Sequence, residues 1–169
     1  MKKILALASL LAPVALVAQP SDESVVQWER IVGVVTAPGV DNPVAGIKAG
    51  AGPWFARDGH ARVDLSTGRA SFDVEHLVLV GGNASGTPGP VTTVNGTLVC
   101  NTGTTNQEIL DTIEVPLSAE GDAQFRGHFT SLPATCTTPL FLIRIGASLP
   151  AAAGRWIGTG AVRVFGDRY

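Results

Sequence analysis

The sequence predicts an all-β domain: an antiparallel β-sandwich of Greek-key type, with a small Greek-key β-barrel as the alternative. Three observations predict it. Short runs rich in Val, Ile, Thr and Phe recur along the chain, 20 glycines and 11 prolines punctuate them, and no segment carries a sustained helical stripe of apolar residues.

The N-terminal segment stands apart from that pattern. Lys2 and Lys3 precede an uncharged apolar run over residues 4–18, and polar Gln19, Ser21, Asp22 and Glu23 follow it. This is the layout of a secretory signal peptide. The run is shorter than the roughly 20 apolar residues a membrane-spanning helix needs, so cleavage after Ala18 is expected, with Leu16 at the −3 position leaving the bond open by a few residues. Residues 1–18 are therefore read as a signal peptide and 19–169 as one exported β domain, secreted or periplasmic, with no transmembrane segment after cleavage. A domain of that size buries about 70% of the surface of its unfolded chain, enough for a single core. Losing Lys2 and Lys3 takes the formal charge from −2 to −4, and the remaining arginines are scattered along the sequence, which argues against nucleic acid as a partner.

The first strands are expected over residues 25–36 and 44–48. A hairpin follows: Ala61, Val63 and Leu65 alternate with Arg62 and Asp64, Ser66-Thr67-Gly68 turns the chain, and Ala70, Phe72 and Val74 alternate with Ser71 and Asp73. Period-2 alternation puts each apolar set on one face, so this hairpin has one buried and one wet side. Asn95-Gly96 between β-branched neighbours is a strong local hairpin signal, predicting that residues 91–94 pair with 97–100. The first hairpin is echoed at Val115, Leu117, Ser118, Gly121, Ala123 and Phe125, which we read as a second hairpin obeying the same turn rule rather than a duplication. Strands are also expected at Leu140–Ile145 and Trp156–Phe165. Arg144 is conspicuous within the apolar FLIRI run; a sheet edge or a carboxylate partner is its ordinary explanation.

Cys100 and Cys136 are the two cysteines, and in an oxidising compartment an even count predicts a disulfide. Closing a loop of about 36 residues contributes roughly 3–4 kcal/mol on the chain-entropy model.

The search for catalytic chemistry returns little. His60, His76 and His128 lie too far apart for a local metal motif, and no metal or cofactor is expected. A nucleophile elbow, a Walker loop and a dinucleotide fingerprint are all missing from the sequence. The most suggestive segment is residues 49–60, where Trp54, Phe55, Arg57, Asp58 and His60 crowd into a loop leading to a strand. Trp and Arg often dominate recognition surfaces, so these five form a candidate binding loop; the competing reading is that Trp54 and Phe55 plug an open end of the fold. Other binding loops are expected at 49–53, 81–90 and 101–106, rich in Gly, Thr, Asn and Pro.

The combination GHARVDLSTGRASFDV, GTPGPVTTVNGTLVC, VPLSAEGDAQF, FLIRI and GRWIGTGAVR resembles a set of small exported bacterial β proteins, over most of residues 30–164. That resemblance implies a single β domain with a cysteine pair at Cys100 and Cys136, and it carries no activity to transfer. The hairpin of residues 59–77 is also similar to CHRD domains, extracellular β modules, although their His-x-His element is absent. The leading expectation is a non-catalytic exported domain that binds a protein, glycan or envelope component through its loops. The alternatives are a small hydrolase whose site is assembled in space from groups such as Asp58, His60 and His128, and a structural envelope component.

Overall fold

The computed structural model describes residues 24–37 and 40–166; the expected signal peptide of residues 1–18 lies outside them. Among the described residues the regular elements are eleven strands: β1 (Val25–Gly33), β2 (Trp54–Phe55), β3 (Asp58–Asp64), β4 (Arg69–Glu75), β5 (Val78–Leu79), β6 (Thr93–Cys100), β7 (Glu108–Asp111), β8 (Val115–Pro116), β9 (Ala123–His128), β10 (Leu140–Ile145) and β11 (Trp156–Phe165). Among the described residues no helix is long and apolar enough to cross a membrane.

Nine strands form one antiparallel sheet in the order β7-β6-β10-β11-β1-β3-β4-β9, with β8 also paired to β6. The sheet curls into a half-barrel, within the sandwich and barrel class that the sequence predicts. β2 and β5 make a separate two-stranded ribbon. The curl brings aromatic side chains from distant strands together inside it. Trp28 of β1 packs on Phe141 of β10 at 5.5 Å between ring centroids, Phe141 lies 5.9 Å from Phe72 of β4, and Phe72 lies 5.8 Å from Phe125 of β9. These rings are buried, and offset contacts of this kind add about 0.5–1.5 kcal/mol each beyond the area they bury.

The hairpin of β3 and β4 follows the alternation of its sequence. Val63 pairs with Ala70 and Ala61 with Phe72, all four buried, while Arg62 pairs with Ser71 on the outer face. The expected second hairpin takes a different form. A tight turn joins the two arms, Ser118 N–H donating to the Asp122 carbonyl at 2.9 Å, but β8 pairs with β6 and β9 pairs with β4.

Asn95-Gly96 is no turn. It lies inside the continuous strand β6, which runs in register against β10 from Val94↔Ile145 to Val99↔Leu140. Thr112 exchanges bonds with Gly96 on the opposite edge, its Oγ1 accepting from Gly96 N–H at 3.0 Å and its N–H donating to the Gly96 carbonyl at 2.9 Å. A Cβ at residue 96 would come within 2.8 Å of Phe72 and 2.9 Å of Phe141. Glycine is present because two rings close over it, and packing overrides the local turn preference.

The strand expected over 44–48 is also absent. Asn42, Ala45 and Gly46 have positive φ, and Val44 and Ile47 exchange backbone bonds at 2.9 Å around the intervening pair, which makes a tight turn. The disulfide joins Cys100, at the end of β6, to Cys136 in the connection before β10, with Cα atoms 4.7 Å apart.

Arg144 has the carboxylate partner its position calls for. A register shift between Ile143 and Arg144 marks a bulge, Nη1 donates to both Asp111 oxygens at 2.9 and 3.0 Å, and Nε donates to the Gly154 carbonyl at 2.6 Å. The Asp111 carboxylate also accepts from the buried Thr97 hydroxyl.

Candidate functional site

The residues of the expected binding loop do not converge on a ligand site. Trp54 is 4% exposed, held under the fold by a 2.8 Å bond from its N–H to the Val34 carbonyl. β2 crosses so close over β1 that a Cβ at Gly33 would overlap the Trp54 carbonyl. The indole ring therefore fills an end of the interior and is unavailable for stacking on a ligand. Phe55 is half exposed and meets the His76 ring edge-on at 6.5 Å. Arg57 is paired with Glu75 at 2.7 Å, which raises its pKa through that hydrogen bond first and the charge of Glu75 second. Asp58 sits 3.5 Å from Arg30. His60, on the outer face, is opposite Asp73.

His60 and His128 lie two rows apart on that face. The registers stack three rows across β3, β4 and β9: His60–Asp73–Gln124, then Arg62–Ser71–Arg126, then Arg69 beside His128 with Asp64 at the turn. Four residues of strand separate the end rows, about 13 Å. Asp58, His60 and His128 are thus not assembled into one site.

What the same face does assemble is a basic surface. Arg62, Arg69, Arg126 and His128 surround Ser71 along an open concavity of about 470 Å3, which Asp64 also lines. Alternation explains the placement: Ala61, Val63, Ala70, Phe72 and Phe125 point into the core, so their neighbours Arg62, Ser71 and Arg126 point out. Ser71 keeps the centre low, since its side chain is short. Arg69, Arg126 and His128 are exposed, and Arg62 is half-buried. Among the described residues neither Arg69 nor Arg126 has a side-chain hydrogen bond or ion pair.

The one carboxylate in the concavity is committed to the backbone turn. Asp64 Oδ1 accepts from the Ser66 hydroxyl at 2.6 Å, the Ser66 N–H at 2.8 Å and the Thr67 N–H at 3.2 Å. The Ser66 hydroxyl is the chief cause of its pKa falling from 3.8 to about 2.

The other end of the face is acidic. A second concavity, about 420 Å3, is bordered by Asp73, Glu75 and Asp122 against Arg57. Gln124 donates to Asp73 at 2.9 Å, and Asp122 accepts from the His76 N–H at 2.8 Å. Charge therefore changes sign along the strands of one rigid sheet face.

The loops strapped by the disulfide form a further cavity, about 520 Å3, bordered by Asn101, Thr104, Asn106 and Thr137. Asn101 binds its surroundings on all sides, donating to the Asn106 and Thr135 carbonyls and accepting from the Thr137 N–H and hydroxyl. Its polar groups serve the loops themselves. Among the described residues no group of three or more His, Cys, Asp or Glu side chains is placed to hold a metal ion.

The outward positions of Arg62 and Ser71 are readable from the hairpin pattern alone. Adding Arg126 and His128 to them requires knowing that β9 lies beside β4, whereas the local sequence pattern points to a hairpin with β8. In comparisons with protein-family models, curated proteins and solved structures, the chain matches none.

Proposed function

We propose that this chain is an exported, non-catalytic β domain that binds an anionic partner on the outer face of β3, β4 and β9. The observation that carries the reading is the concentration of Arg62, Arg69, Arg126 and His128 around Ser71, in a chain whose formal charge is −2. Two exposed guanidiniums left without protein partners on a rigid face supply the donors that carboxylate, sulfate and phosphate groups take. The partner is a protein, glycan or envelope component bearing such groups, and contact comes from a strand face rather than from residues 49–60.

Export rests on the Lys2-Lys3 start and the apolar run over residues 4–18. A Cys100–Cys136 disulfide is compatible with an oxidising compartment. The resemblance to small exported bacterial β proteins supports the same placement.

The test is retention of the secreted protein on sulfated and carboxylated matrices against a neutral one. Wild type is expected to be held by the anionic matrices and released by salt, while Arg69→Glu with Arg126→Glu is not held and Lys48→Glu behaves as wild type. Equal retention of wild type and the double variant would refute the assignment of the face.

A further inference from the structure

Resting on that reading, we infer that the anionic partner is a protein, one of whose extended acidic segments adds to the sheet as an antiparallel strand along the open edge of β9. β9 ends the strand order of the sheet. β8, to which a tight turn joins it, pairs with β6 instead, so the far side of β9 has no strand paired to it.

The register shows which backbone groups lie open there. Leu65 N–H donates to the Ser24 carbonyl, so residues 61, 63 and 65 bond toward β1, and His60, Arg62 and Asp64 bond toward β4. Arg69, Ser71 and Asp73 answer them, which leaves Ala70, Phe72 and Val74 to exchange bonds with Gly127, Phe125 and Ala123. The 3.0 Å bond from Phe129 N–H to the Gly68 carbonyl continues that ladder. The N–H and C=O groups of Gln124, Arg126 and His128 therefore point away from β4, and they have no hydrogen-bond partner among the described residues.

These groups recur every second residue, about 6.8 Å, over about 14 Å of edge. An extended polypeptide carries donors and acceptors at the same period and can answer all of them. A sulfated or phosphodiester backbone has no N–H at that spacing and leaves the carbonyls to water. The open edge thus favours a polypeptide over a polysaccharide or a nucleic acid.

Charge selects the segment. Arg126 and His128, whose backbone groups are open, also present exposed side chains on the basic face. In an antiparallel pair, residues that exchange backbone bonds stand directly opposite, with their side chains on one face. One acid then meets Arg126, and a second, two residues along, meets His128, with Arg69 next in that row. The same cations repel a basic strand. The opposite edge of the sheet carries Glu108 and Asp111 on β7, which disfavour an acidic segment there.

The experiment follows amide hydrogen exchange and affinity of the purified full-length protein with capped peptides of about eight residues, long enough to cover the edge. One alternates glutamate with threonine, one alternates lysine with threonine, and two copies of the first are N-methylated, either at every glutamate or at every threonine. Dextran sulfate and oligothymidylate are run beside them. In the free protein, exchange is expected to be fast at Gln124, Arg126 and His128 and slow at Phe125 and Gly127. The glutamate peptide should slow the three fast amides. N-methylation at threonine, whose N–H faces away from β9, should leave affinity unchanged, whereas N-methylation at glutamate should weaken it by about tenfold or more, as loss of two or more backbone bonds requires. Arg126→Glu should weaken the glutamate peptide and tighten the lysine one, with its unfolding transition measured alongside. Slow exchange at the three amides before any ligand is added, or equal binding of the two N-methylated peptides, would overturn strand addition while leaving anion binding intact. Dextran sulfate or oligothymidylate binding where the glutamate peptide does not, or slowing the same amides, would overturn the polypeptide assignment. Protection that grows with protein concentration alone would overturn it in favour of a second copy of this chain. Binding of no anionic probe would overturn both this inference and the proposed function.

Discussion

Replacing Gly96 by alanine tests the interior of the half-barrel at its tightest point. The new Cβ would lie 2.8 Å from Cδ1 of Phe72 and 2.9 Å from Cζ of Phe141, where ordinary contact begins near 3.4 Å. Both rings are almost wholly buried and also pack against Trp28 or Phe125, so neither can retreat without disturbing a second contact. Overpacking of this sort costs about 1–3 kcal/mol, and the alanine recovers about 0.5–1 kcal/mol of the conformational freedom that glycine loses in a strand. The net expectation is a loss of about 1–2 kcal/mol, or about 2–8 °C in Tm for a domain of this size. Urea unfolding followed by tryptophan fluorescence reads it, with Phe141→Leu and the double variant completing a cycle. Relief of the clash predicts a coupling of at least about 0.5 kcal/mol, with the double variant more stable than additivity allows. A hairpin turn at Asn95-Gly96 would predict no coupling to Phe141. A neutral Gly96→Ala, or an additive cycle, would refute the packing described here.

Three further outcomes are expected. Cys100→Ser with Cys136→Ser should lower stability by about 3–4 kcal/mol while leaving the far-ultraviolet spectrum β-rich; two reactive thiols in the unreduced, denatured wild-type protein would contradict the disulfide. Asp111→Ala strands the Arg144 side chain, 17% exposed, with the Gly154 carbonyl as its remaining partner, and should cost about 1–3 kcal/mol in urea unfolding, more than Arg144→Met does. Asp64, whose folded pKa lies below its unfolded one, contributes stability that is complete above about pH 4 and is lost as pH falls toward 2; Asp64→Asn should flatten acid unfolding over that window, and an unchanged acid limb would refute the role of the Ser66 and Thr67 bonds.

The parts of the fold legible in the sequence are those where local pattern and tertiary demand agree. Ala61, Val63, Ala70, Phe72 and Val74 alternate because one face of β3 and β4 is core and the other is wet, and the turn between them holds Gly68 at positive φ. Arg144 announced a partner because an apolar strand does not carry a lone guanidinium, although nothing local named Asp111. Asn95-Gly96 misled because its turn preference is a small local energy, outweighed by two ladders and two aromatic rings. The sequence around Trp54 and Phe55 reads as a loop, yet they form the short strand β2, with one side chain buried and the other half exposed because β2 crosses over Gly33. The basic face was half legible: alternation places Arg62 and Ser71 outward, but the neighbour relation of β4 and β9 is a long-range pairing that periodicity does not encode.

The most direct measurement is a backbone amide chemical-shift map of the isotopically labelled protein, titrated with a soluble polyanion such as dextran sulfate. Shifts concentrated at Arg62, Arg69, Ser71, Arg126 and His128, with residues 54–60 and the cavity around Asn101 unmoved, are the predicted result. Saturable shifts centred on the loop of residues 49–60, or on the Asn101 cavity, would contradict the assignment of the β3–β4–β9 face as the binding surface.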